Sequence, residues 1–269
     1  MKARGKRQRR PMGRKVEVNA MSGWLEKRRK DGAALDIERQ LMQDALARLG
    51  PHESETRLRG RLIFALDLTG SREHSLREAR IATEGMFEAI KGFGRIAVKL
   101  VYYRGEKECR ATGWHDDPDV LSSSMRRLSC KTGNTQIARL LRMACAAEET
   151  LAGVVFVGDH CEEDASELVE LAKALRGKTT PLFVFHECAD HDQHSLNARR
   201  VFERMAEASG GVYVEFKPDS GAVLRELLST IAAFAAAGTE GVRQAALPET
   251  TEARQLQGQL LRLGTGDSR

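Results

Sequence analysis

The sequence predicts a three-layer α/β fold, with a doubly wound, mainly parallel sheet and one antiparallel edge strand, and three observations carry that prediction. Strand-length apolar segments alternate with helix-length amphipathic ones through the middle of the chain, the pattern that builds a parallel sheet covered on both faces. Residues 62–66 are an unbroken apolar run, as a central strand needs when helices lie above and below it. Residues 96–103 read as a strand, Arg104-Gly105 turns the chain, and residues 107–114 return as a hairpin, which makes the edge strand antiparallel.

The remaining elements follow from periodicity. Residues 33–49 place Leu35, Ile37, Leu41, Met42, Ala45, Leu46 and Leu49 at three- and four-residue spacing, which predicts an amphipathic helix stopped by Gly50-Pro51. Residues 73–91 carry Leu76, Ala79, Ile81, Ala82, Met86, Phe87 and Ile90 at the same spacing, and Gly92 and Gly94 end that crossover helix. Further strands are expected at 153–158, 181–186 and 212–216, with helices at 136–150, 165–176, 195–209 and 222–237. Beyond Gly238 the chain turns polar, although 252–263 has the spacing of a marginal helix. The predicted organisation is a basic, mostly disordered tail plus one helix over residues 1–57, the α/β domain over 58–238, and a polar C-terminal tail over 239–269.

Of the 269 residues, 41% are hydrophobic and 30% charged, which describes a soluble globular domain with flanks. No run approaches the roughly 18 apolar residues of a membrane helix, so no span is expected. Residues 1–15 hold eight Lys or Arg and no acid; taking these from the net charge of +5 leaves −3 for the rest, so the basicity belongs to the tail. Such a tail either binds nucleic acid or another anionic surface by neutralising phosphates, or simply solubilises the chain. The basic N-terminus is not followed by the apolar core of a secretory signal. Cys109, Cys130, Cys145, Cys161 and Cys188 are odd in number and contain no CxxC pair. Together these features predict a cytoplasmic protein with reduced thiols.

In open α/β sheets, ligands bind beyond the carboxyl ends of the strands, where loops converge. Three such loops are rich in oxygen donors. The first strand runs into Asp67-Leu68-Thr69-Gly70-Ser71; a second loop, Thr132-Gly133-Asn134-Thr135, opens a helix; the third follows GVVFVG and offers Asp159. Hard divalent cations take oxygen ligands, and a set of hydroxyls with only two carboxylates leaves residual positive charge on the ion. Each loop alone reads equally well as a helix N-cap; the agreement of three in order favours a metal.

Asp67, Thr69 and Ser71, then Thr135, then Asp159 resemble the metal-ion-dependent adhesion site of von Willebrand factor A domains, and the chain looks like a bacterial subgroup of that family over about two-thirds of its length. The resemblance implies Mg²⁺, or Mn²⁺ or Ca²⁺, held by Thr69, Ser71 and Thr135, with Asp67 and Asp159 ligating directly or through water. It implies an open coordination position that accepts a carboxylate from a protein partner, hence a non-catalytic interaction module. Two residues depart from the pattern: Thr69 stands where Ser is more usual, and His160 follows Asp159 where Gly is usual.

Two rival readings remain. Asp67 at a strand end, with Asp159 and Asp164, also echoes Mg-dependent phosphohydrolases of haloacid dehalogenase type, but Thr69 occupies the position of their acid/base Asp and transfers no proton near neutral pH. A second metal set, His186, Cys188, His191 and His194, gathers nitrogen and sulfur ligands after a strand, in a spacing that matches no common zinc signature.

Overall fold

The computed structural model describes residues 60–70, 73–89, 95–188, 193–218 and 220–263. The basic tail and the helix expected at 33–49 lie outside the described residues. The elements are β1 (Gly60–Asp67), α1 (Glu73–Glu88), β2 (Ile96–Arg104), β3 (Glu108–His115), α2 (Pro118–Arg126), α3 (Ile137–Cys145), β4 (Gly153–Gly158), α4 (Ala165–Gly177), β5 (Leu182–Glu187), α5 (Gln193–Ser209), β6 (Tyr213–Phe216), α6 (Gly221–Gln244) and α7 (Thr251–Leu263).

The strands form one sheet in the order β3-β2-β1-β4-β5-β6. Among the described strands β3 pairs antiparallel with β2, and every other pairing is parallel. The order runs outward from β1 in both directions, so the connections diverge between β1 and β4, the switch point at whose carboxyl edge open α/β sheets bind ligands. Register brings Asp67 opposite Tyr103, Leu66 opposite Val157, and Gly158 opposite His186, which sets the ends of β1, β4 and β5 along one edge.

Side-chain alternation assigns each strand residue to a layer. Leu62, Phe64 and Leu66 pack with Leu76, Met86, Leu227 and Ile231, whereas Ile63 and Ala65 face Ile137, Leu141 and Leu168 on the other side. None of residues 62–66 is more than 3% exposed, which is why that run has no polar member. Burial of each large side chain contributes about 1.5–3 kcal/mol. Asp67 has the parity of Ile63 and Ala65 and therefore sits on the side covered by α3 and α4.

Four features differ from expectation. Helix α2 was not foreseen, although the Asp117 carboxylate caps it by accepting from Asp119 N at 2.8 Å and Pro118 occupies its first turn. Helix α3 stops at Cys145 instead of reaching 150, and Glu149 beyond it accepts a hydrogen bond from Trp114 Nε1 at 2.6 Å. Helix α6 bends at Ala237 and Gly238, where Gly238 takes φ 62°, and continues to Gln244. It is long and apolar enough by composition to cross a membrane, contrary to the expectation that no segment is, but Leu224, Leu227, Leu228 and Ile231 lie in the core.

The fourth difference corrects the domain boundary. Residues 239–263 are not a polar tail: α7 buries Ala253, Leu256 and Leu260 completely in the layer that holds α1 and α6. The Glu226 carboxylate of α6 fixes the start of α7, accepting from Glu249 N at 3.0 Å, Thr250 N at 2.8 Å and Thr250 Oγ1 at 2.6 Å.

Candidate metal centre

At the end of β1 the chain turns while Asp67 remains inside. Asp67 is 2% exposed. Its Oδ1 accepts from Thr69 N at 2.8 Å and from Thr69 Oγ1 at 2.6 Å, an Asx-type turn that fixes the threonine rotamer. The Thr69 hydroxyl spends its one proton on the carboxylate, so what it has left to offer is acceptor lone pairs. Ser71, the third residue expected from this loop, lies outside the described residues.

The second loop is tied to the first by backbone hydrogen bonds. Lys131 N donates to Leu68 O at 3.0 Å and Gly105 N donates to Lys131 O at 3.0 Å, so residues 131–136 lie across the end of the β2–β3 hairpin. Gln136 Nε2 adds a bond to Gly105 O at 2.9 Å. Gly133 is required for this approach, because a Cβ there would stand 2.2 Å from the Gly105 carbonyl carbon. On the outer side, Glu108 gathers Arg104 at 2.9 Å and Lys131 at 3.0 Å, and hydrogen bonds from these two cations pull its carboxyl down to about 2.

The second and third loops also grip each other. Thr135, 7% exposed, donates its backbone N–H to Glu162 Oε2 at 3.2 Å, and its Oγ1 accepts from Glu162 N at 3.2 Å. Glu163 accepts from the backbone N–H groups of Ile137 and, at 2.9 Å, Ala138. A carboxylate from the β4–α4 loop thus caps α3, whose own N-cap residue, Gln136, makes no side-chain bond to the helix. Neither Glu162 nor Glu163 was expected from the sequence; the acidic run after Asp159 was the only visible signal, and its targets are 25 to 27 residues away.

Asp159 follows β4, partly exposed, with His160 Nδ1 at 3.1 Å from its Oδ2. Its backbone carbonyl faces His186 Nε2 at 3.1 Å. Asp164 ends this loop as the N-cap of α4, and backbone hydrogen bonds from Ser166 and Glu167 lower its pKa. The carboxylate is therefore engaged in holding the helix.

The second metal set requires a correction at His186. That ring is fully buried and committed at both nitrogens, to the Asp159 carbonyl and, at 2.8 Å, to the Tyr213 hydroxyl, which leaves no lone pair for a metal. Cys188 is buried, His194 is exposed on the first turn of α5, and His191 lies outside the described residues. Among the described residues no three His, Cys, Asp and Glu side chains gather in a form that would hold a metal. All five cysteines are free thiols, and burial pushes Cys161 up to about 11.

The donors fit a hard cation in kind: two threonine hydroxyls whose orientations are set by hydrogen bonds, and two carboxylates, on three loops fastened to one another. No family model matches the chain, and no curated protein matches it in sequence. In structure it is similar to a von Willebrand factor type A protein from Catenulispora acidiphila, with a TM-score of 0.53 and 16% identity over 65% of this chain and 43% of that one. It is also similar to the PilB minor pilin of Streptococcus sanguinis, with a TM-score of 0.50 and 9% identity over 65% of this chain and 61% of the pilin. This chain therefore spans under half of the first protein and about three-fifths of the second. A mussel byssus protein, proximal thread matrix protein 1 with a zinc-occupied MIDAS motif, matches at a TM-score of 0.47, too loose for residue correspondences. The likeness to the first of these, with the sheet order, identifies the fold as that of von Willebrand factor A domains.

Proposed function

We propose that this chain, which carries the von Willebrand factor A fold, is a divalent-cation-dependent interaction module that grips a carboxylate of a protein partner. The observation that carries the reading is the fastening of the loops: Lys131 N to Leu68 O, and the reciprocal pair between Thr135 and Glu162, connect the segments that hold Asp67, Thr69, Thr135 and Asp159. Loops held this way keep their donors oriented before a ligand arrives, which lowers the ordering cost of binding.

The hydroxyls of Thr69 and Thr135, with Ser71 beside them in the sequence, would hold Mg²⁺, Mn²⁺ or Ca²⁺. Asp67 acts on the ion through the Thr69 hydroxyl it orients or through water, and Asp159 approaches from β4. A cation bound mainly by neutral oxygens supplies residual positive charge for an anionic group. The module is non-enzymatic in this reading: Thr69, two positions after Asp67, transfers no proton, and Asp164 is occupied as a helix cap.

The test is calorimetric titration of the chelator-treated full chain with Mg²⁺ and Mn²⁺. One saturable site is expected, abolished in Asp67→Ala and in Thr135→Val, with each variant's fold checked by circular dichroism. Absence of saturable binding in the wild type, or binding that survives both substitutions, would overturn the proposal.

A further inference from the structure

We infer that the basic pocket at the tip of the β2–β3 hairpin receives a second acidic side chain of the protein partner, about four residues along from the carboxylate that the cation holds. The inference rests on the carboxylate-gripping reading above and names the partner's chemistry, a segment with two spaced acidic residues.

The pocket is an open depression of about 600 Å³ whose lining sets Arg104, Lys107, Arg110 and Lys131 against Glu106 and Glu108. Four cations and two carboxylates leave it a net charge of +2, whereas residues 16–269 as a whole carry −3, so the positive sign is local to this spot. Three of the cations converge on one carboxylate. Glu108 Oε1 accepts from Arg104 Nη2 at 2.9 Å and lies 3.2 Å from Arg110 Nε, and Oε2 accepts from Lys131 Nζ at 3.0 Å. One carboxylate does not neutralise three cations. The side chains of Arg110 and Lys131 are 70% and 54% exposed, so an incoming acidic group can reach their further N–H donors without repacking the core.

Backbone hydrogen bonds join this pocket to the candidate metal centre. Gly105, which lines it, donates to Lys131 O at 3.0 Å and accepts from Gln136 Nε2 at 2.9 Å, and Lys131 N donates at 3.0 Å to the carbonyl of Leu68, the residue between Asp67 and Thr69. Lys131 and Thr135 are four residues apart on one loop, so their Cα atoms lie within about 14 Å, the span of about four extended residues in a partner. Arg139 Nη1 donates to Lys107 O at 2.8 Å and so fastens the hairpin tip to α3, which keeps the spacing of the two contacts fixed. Among the described residues that line the pocket none is aromatic, so a nucleic-acid strand would meet charge there but no ring on which to stack its bases. Charge complementarity and continuity with a carboxylate-binding edge both favour an acidic protein segment.

Fluorescence anisotropy of the full chain with two labelled glycine-serine peptides tests this, one carrying two aspartates four residues apart and the other only the first of them. Each is measured at low ionic strength, with Mg²⁺ and with chelator, against wild type, Arg110→Ala/Lys131→Ala, and Arg9→Ala/Arg10→Ala, which removes the same charge from the basic tail. The second aspartate is expected to improve wild-type affinity about fivefold, an advantage that falls below about twofold in the pocket variant and persists in the tail variant. An advantage unchanged in the pocket variant, or lost equally in the tail variant, would overturn the inference while leaving the metal reading standing if chelator still abolishes binding of the one-aspartate peptide. Tighter binding of a labelled hexathymidylate than of the two-aspartate peptide, lost in the pocket variant, would assign the pocket to phosphate and overturn it as well. If wild type binds neither peptide the inference falls, and the cation titration above decides the metal reading separately.

Discussion

His186 Nε2, on β5, lies 3.1 Å from the backbone carbonyl oxygen of Asp159, on the loop after β4. The carbonyl can only accept, so Nε2 carries the proton, while Nδ1 lies 2.8 Å from the Tyr213 hydroxyl, which also bonds Glu215 Oε2 at 3.2 Å. The imidazole is fully buried and packs edge-on to Phe202 with ring centroids 5.2 Å apart. A buried residue of β5 thereby sets the backbone at which a candidate ligand leaves β4.

That burial predicts a pH dependence of stability. Desolvation lowers the His186 pKa below its ordinary 6.5, with the Asp159 carbonyl opposing the shift in part. A group whose folded pKa is depressed stabilises the fold above the unfolded value, and the contribution disappears as pH falls through the folded one. Thermal unfolding of the metal-free chain is therefore expected to fall in midpoint from pH 7 to pH 5, with a shallower slope in His186→Gln. Equal slopes in the two proteins would show that other groups govern the transition.

The capping of α3 by Glu163 leads to a second expectation. Its carboxylate receives the Ile137 and Ala138 N–H groups that Gln136 leaves without a side-chain cap. Glu163→Ala should cost about 1 kcal/mol of stability, the usual worth of a helix cap, and should weaken cation binding by loosening the Thr135 loop. Glu163→Gln, which retains an acceptor oxygen, should recover part of both. Urea unfolding and calorimetry measure the two effects; a loss of stability with undiminished cation affinity would mean that the cap supports the helix alone.

Which features the sequence disclosed depends on how locally each is encoded. The run at 62–66 could be read directly, because burial on both faces removes every polar residue from it, and the hairpin was evident from Arg104-Gly105. Asp67 was legible as the residue on which the first strand ends, and Asp159 as the loop residue that follows GVVFVG. The grip of Glu162 and Glu163 on Thr135 and α3 was not, since those bonds join residues 25 to 27 positions apart and no periodicity records them. Helix α2 was missed although Asp117-Pro118 is a start signal, because Leu121 and Met125 are too few to establish a helical stripe in nine residues. The burial of His186 was equally hidden: in sequence it stands in a polar cluster, and the pairing of β5 with β4 and β6 is what encloses it.

The boundary correction makes the C-terminal segment a stability element. Leu256 and Leu260 are fully buried, and Glu226 anchors the turn that leads into α7. Leu256→Ala should destabilise the chain by about 2–5 kcal/mol, the range for a buried leucine whose cavity does not collapse. Denaturant titration provides the measurement, and a loss under about 0.5 kcal/mol, typical of surface positions, would return residues 251–263 to the status of a tail.

Gly133 predicts the effect with most bearing on the site. A methyl group there would meet the Gly105 carbonyl carbon at 2.2 Å and its oxygen at 2.3 Å, and both are backbone atoms with no rotamer to yield. Gly133→Ala must push the 131–136 loop off the hairpin, stretching the bonds from Gly105 N to Lys131 O and from Gln136 Nε2 to Gly105 O. A cost of about 1–3 kcal/mol is expected, as for overpacking elsewhere, and it should come with weaker cation binding because Thr135 moves with the loop. Gly113→Ala is the matched control, since a Cβ at that position on β3 meets nothing within 4 Å, and it should change stability by no more than about 0.5 kcal/mol. If Gly133→Ala unfolds at the wild-type midpoint and binds cation equally well, the loop does not depend on this close approach, and the fastening of Thr135 to the end of β1 is weaker than the distances imply.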